Sequence, residues 1–296
     1  MDARRYFMKI DHDDTAANDR TTKAGDDRSR VWRSWRGALL GAVALACALG
    51  AVLLPPLAQP AGYHAFADSR ALLGIPNFWN VATNLAILAA GLAGLSAIVT
   101  GERARLASLP TLSAGQRTWA SAAARDPYVL LFCGFVLTAL GSTYYHLAPD
   151  SDRLVWDRLP MTLAFMSLLA AMIAERVDAR AGARLLLPLV ALGALSVLWW
   201  QWTMAGGAED IGPYMIVQLG SLVLVLLIAV LFPSPERGRN RTVFFAFALY
   251  ALAKVCEHFD DRIFAFGTLL SGHSVKHLLV GVACFELVRL ARRDGN

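Results

Sequence analysis

Long apolar stretches recur along this chain, each ended by a short polar interval rich in arginine. Residues 37–57, 71–101, 127–149, 159–174, 185–208 and 211–235 carry no charge, and two less pure stretches follow at 242–259 and 270–288. A helix needs about 20 apolar residues to cross the hydrocarbon core of a bilayer. No water in that core can satisfy the backbone, so a spanning segment folds as a helix with its hydrogen bonds internal. The pattern predicts an all-α, polytopic membrane helix bundle with eight spans.

The polar intervals set the orientation, because Lys and Arg near span ends are retained on the cytoplasmic side. With the amino terminus inside, most of the 28 basic residues fall in the tails and in alternate loops, among them Arg103, Arg105, Arg180, Arg237 and Arg289. Dropping one span would reverse every later loop, so the alternation favours eight spans over seven and puts both termini in the cytoplasm. Residues 1–35 have little hydrophobic periodicity and read as a disordered cytoplasmic tail. The run within 36–60 reads as an uncleaved transmembrane anchor, although small residues at 58–61 also suit a cleaved leader. On the opposite side, the segment 62–76 reads as a solvated connection. One integral membrane domain accounts for the chain from residue 36 to residue 293.

Composition narrows the classes further. At 56% hydrophobic residues and a mean hydropathy of +0.45, the chain is too apolar for an ordinary soluble domain. Its net charge of +5 is spread over separate loops and tails, which makes it a topology signal and excludes nucleic acid as an expected partner. Cys47, Cys133, Cys256 and Cys284 lie in or beside apolar spans without a CxxC pair, so they read as small buried residues.

Against this apolar background a few polar residues carry chemistry. His273 and His277 are one helical turn apart, so both imidazoles leave the same face of the last span, and Ser142 and His146 repeat that spacing at the end of the third. Asp157 opens the fourth span, and the topology brings all five to one membrane face. A lone histidine near an interface reads as a hydrogen-bonded or snorkelling side chain, and His64 and His258 are read so. For the His273/His277 pair a structural reading stays open beside a metal site, since two buried imidazoles need partners. Adding His146 completes a three-nitrogen zinc shell with an open fourth position, the arrangement of a catalytic rather than a structural site. Glu257, His258, Asp260 and Asp261 fall at the same face as the histidines and read either as groups that support the zinc ligands or, the preferred reading, as the solvated end of a helix. Lys276 reads as snorkelling to the interface, and Lys254 needs a partner within its span.

Ser142, His146, Asp157, His273 and His277, with the FWN-x3-N opening in PNFWNVATN at residues 76–84, resemble the alkaline ceramidases. That family belongs to the CREST superfamily of membrane hydrolases and receptors, which includes the progestin and adipoQ receptor family. The resemblance implies a seven-transmembrane ceramidase-like domain at 61–293, with 36–60 as an added amino-terminal helix. It implies that His146, His273 and His277 hold zinc, that Ser142 stabilises an oxyanion, and that Asp157 assists the water or the leaving group. The implied activity is zinc-dependent hydrolysis of an amide in an N-acylated lipid, ceramide or ceramide-like, drawn from the bilayer. The implied site faces the periplasm or exterior of a bacterial inner membrane. The family's eukaryotic members also hold calcium; here Asp68, Asn77 and Asn80 are the only candidate ligands, fewer than calcium's usual six to eight oxygens. A receptor with zinc but no hydrolysis is the alternative. A haem carrier needs axial histidines from opposing helices, so only one of His273 and His277 could pair with His146.

Overall fold

Each charge-free run folds as helix, and some of the polar breaks turn out to be built structure. The computed structural model describes residues 34–108 and 114–291, with side chains described throughout except at 102–124 and 237. The expected tail at 1–35 lies almost wholly outside these residues, as do the side chains of Arg103 and Arg105. The chain divides into two units, Met1–Ala46 and Cys47–Asn296, and the site described below lies in the second.

In chain order the helices are α1 Ser34–Leu53, α2 Phe78–Ala82, α3 Asn84–Ser108, α4 Ala114–Leu147, α5 Ser151–Arg176, α6 Ala179–Ala205, α7 Gly212–Leu231, α8 Arg237–His258, α9 Asp260–Gly267 and α10 Gly272–Ala291. Six are long and apolar enough to cross a membrane: α1, α2 with α3, α4 from Arg125, α5, α6 and α7. The pair α8 and α9, bent by 78° at Phe259, makes a seventh if it is one span. Among the described residues α10 does not join them, because Lys276, Glu286 and Arg289 interrupt its 20 residues.

Within the second unit α3, α4, α5, α7, α8 and α10 form a ring, closed where α10 packs on both α3 and α8, and α6 lies against α5 and α7. The loosest seam of the ring runs between α7 and α8. Helix starts are fixed by carboxylates that accept the free backbone N–H groups of a first turn. Asp150 takes Arg153 N at 2.7 Å and Asp178 takes Ala181 N at 2.7 Å.

At the end of the bundle where α5 stops, Glu175 accepts from Tyr128 Oη at 2.7 Å and pairs with Arg239, which also donates to the Leu290 carbonyl at 2.9 Å. One carboxylate thus joins α4, α5, α8 and α10. Replacing Glu175 by alanine strands these partners in a half-buried site and is expected to cost about 3 kcal/mol. A lowered unfolding midpoint in detergent reads this out, and an unchanged midpoint would contradict it.

Candidate metal centre

The end of α4 and the starts of α5 and α10 meet at the opposite end of the bundle. His146, His273 and His277 are buried there, at 1%, 8% and 4% exposure. Their ring centroids stand 4.9 to 5.1 Å apart, and one ligand atom from each lies within 4.8 Å of the others. His146 Nε2 and His273 Nε2 are 3.3 Å apart. Two nitrogens at 2.0–2.1 Å from a tetrahedral zinc are separated by roughly 3.3 Å, so this pair already has the spacing of two ligands.

Hydrogen bonding points the same way. His277 Nδ1 is 3.1 Å from both Thr83 Oγ1 and the Asn80 carbonyl. Thr83 spends its own proton on the Trp79 carbonyl at 2.6 Å. Both oxygens therefore accept from Nδ1–H, which leaves the lone pair on Nε2 for a metal. His146 Nδ1 is buried without a partner, and its Nε2 meets only another imidazole. A cation would take the Nε2 lone pairs of His146 and His277, and that of His273 once Lys276 Nζ, now 2.9 Å from it, turns away, so the three residues fit a metal ion.

The segment expected to be a solvated connection is a cap over this cluster. Phe66 lays its ring 4.7 Å from that of His146 and 4.5 Å from that of His273. Asp68 is buried because Arg70 donates to both of its oxygens at 2.8 Å, and that pairing holds the carboxyl below the usual carboxylate range. Asn77 adopts a left-handed backbone with φ of 47°, which Asn tolerates, and its side-chain amide donates to the His146 carbonyl at 2.9 Å. Asn80 donates to the Asp68 carbonyl at 3.3 Å and accepts from Ser274 Oγ at 2.7 Å. The candidate calcium ligands are thus gathered around the histidines, but the oxygens of Asp68 and Asn80 are taken by other protein groups.

Asp260 and Glu257 are likewise more than a solvated helix end. Asp260 accepts from His273 N at 2.6 Å and from Ala67 N at 2.9 Å, so it ties both α10 and the cap to the α8–α9 corner. Gly272 permits this approach, since a Cβ there would stand 2.1 Å from the Cys256 carbonyl oxygen. Lys276 turns inward instead of snorkelling: its Nζ lies 2.9 Å from Glu257 Oε1 and 2.9 Å from His273 Nε2. Glu257 also pairs with Lys254, which supplies the partner that residue needed. His64 is 2.9 Å from Tyr145 Oη and 3.1 Å from Ser151 Oγ; burial, with Arg158 nearby, holds it below the usual histidine range.

A cavity of about 380 Å³ opens beside the cluster. Ser142, Asp157, Lys276 and His277 line its polar end, and Phe135, Leu168, Leu222, Phe247, Val280 and Leu287 line its apolar length. Ser142 is buried, and it and Asp157 face the same cavity from α4 and α5. The sequence matches no family model and no curated protein.

Proposed function

We propose that this chain is an integral membrane zinc-dependent amide hydrolase acting on an N-acylated lipid, ceramide or ceramide-like, as its resemblance to the alkaline ceramidases implies. The observation that carries this reading is a buried three-histidine cluster whose His277 lines the polar end of an apolar cavity, with Ser142 and Asp157 in the same wall. Three imidazoles leave a tetrahedral ion one open position. Zinc held there supplies Lewis acidity and brings the pKa of water down to about 7.

The remaining work falls to side chains of this chain. The apolar wall from Phe135 to Leu287 takes the acyl chain and so fixes the depth of the amide beside Ser142 and Asp157. Asp157 accepts a proton and passes it to the departing amine. The Ser142 hydroxyl, beside Asp157 in the cavity wall, donates its proton in a hydrogen bond to a developing oxyanion. Phe66 and the cap keep bulk water from the cluster. The loose α7–α8 seam offers the lipid lateral access. The arginine distribution supports eight spans, with both termini in the cytoplasm and the site on the opposite face, which in a bacterial inner membrane is the periplasmic one.

Fatty-acid release from a panel of N-acyl lipids by detergent-purified protein tests the proposal. Release by the wild type, removed by chelation and restored by zinc, is the expected result. Bound zinc with no release from any lipid would sink the amidase and leave a ligand-binding receptor.

A further inference from the structure

Three cationic side chains line the cavity: Arg158, Lys254 and Lys276. The two lysines share Glu257 as a counter-ion. Arg158 makes no ion pair within 4 Å among the described residues, although it is only 2% exposed; its neighbour Asp157 interacts with its charge only at longer range. Gln59 accepts from one terminal nitrogen, Nη2, at 2.5 Å, while the other, Nη1, is buried without a hydrogen-bond partner. Around the guanidinium carbon stand the rings of Trp200, Tyr214 and Tyr63, at 4.2, 5.0 and 5.2 Å. Such rings attract a cation but accept no in-plane hydrogen bond of carboxylate strength. A permanently charged guanidinium packed among rings with no directly paired anion is costly, and a ligand that brings one lowers that cost. Arg158 follows Asp157 directly, and Tyr63, Tyr214 and Arg158 line the same cavity as Ser142 and His277.

We infer that Arg158 is an anion subsite and that the preferred substrate carries an anionic headgroup, a carboxylate or a phosphate, on the amine side of its amide. The inference rests on the amidase reading for its hydrolytic readout and narrows that reading from neutral ceramide-like lipids to N-acyl amines bearing an acidic group. The acyl chain lies along the apolar wall, and the acidic group pairs with the Arg158 guanidinium, which turns its unpartnered Nη1 toward the ligand. A second aim of the subsite is exclusion: a neutral headgroup leaves the guanidinium unpaired and is discriminated against.

Two measurements on the full chain test this. In the first, kcat/KM is compared for three amides of one acyl length: N-dodecanoylglycine, N-dodecanoylethanolamine and its phosphate ester. The wild type is expected to prefer a charged headgroup over the neutral one by about 10- to 100-fold, the range of a charge-assisted hydrogen bond. The glycine and phosphate arms show which acid fits. Arg158→Gln should erase the preference and Arg158→Lys should retain part of it; equal rates on all three wild-type substrates would overturn the subsite. In the second, equilibrium binding of dodecyloxyacetate and dodecyloxyethanol, ethers that an amidase does not cleave, is measured on wild type and Arg158→Gln. Tighter binding of the acid, lost in Arg158→Gln, upholds the subsite even if no amide is hydrolysed, in which case only the amidase reading falls. Equal binding of the two ethers by the wild type overturns the subsite whatever the hydrolysis shows.

Discussion

Asp157→Asn is expected to slow amide hydrolysis by about 10²- to 10⁴-fold, the range for losing a positioned general acid or base, while leaving the metal in place. The substitution keeps the size of the side chain beside Ser142 in the cavity wall. It removes only the ability to hold and release a proton beside the amide. Because none of the three histidines depends on Asp157 for a hydrogen bond, metal content should match that of the wild type. Steady-state release of fatty acid, read beside metal content, makes the comparison. Activity within tenfold of wild type would assign Asp157 to packing alone.

Gly141→Ala should have the largest effect of any single-methyl change. A Cβ at this position would stand 1.9 Å from the Trp156 carbonyl oxygen and 3.3 Å from Asp157 N, and both are backbone atoms that cannot rotate away. The helices must therefore separate where Ser142 and Asp157 face the cavity, at a cost of about 1–3 kcal/mol for overpacking. A lower unfolding midpoint and at least tenfold slower hydrolysis, both with metal retained, are expected. Gly101→Ala is the matched control, since a Cβ there meets nothing within 4 Å, and it should leave both readouts unchanged. Equal behaviour of the two variants would contradict the proposed role of the close approach.

The candidate site was legible where its residues follow a helical period. His273 and His277 lie one turn apart in an apolar run, and arginine placement alone brings His146 and Asp157 to the same end. The parts that hold those ligands were not legible. Thr83 and Asn80 act on His277 through an oxygen accepting from a ring nitrogen, and Asp260 acts through the backbone N–H of His273. No spacing rule encodes such contacts, because they join segments that meet only in the folded chain. The cap was missed for a related reason: Asp68 looks solvated in sequence, yet Arg70 neutralises it and lets it be buried. Lys276 was misplaced because snorkelling assumes no carboxylate within reach, whereas α8 presents Glu257 to it. Six or seven of the eight expected spans are apolar enough to cross a membrane by length and composition, because α8 bends into α9 at Phe259 and α10 carries three charges.

Metal content of the detergent-purified protein tests the central claim most directly, measured by mass spectrometry on the wild type and on the His146→Ala, His273→Ala and His277→Ala variants. The account predicts about one zinc per wild-type chain and loss of that zinc in each variant, with fatty-acid release falling to background alongside it. A wild type that carries no zinc, or variants that keep it, would contradict the account.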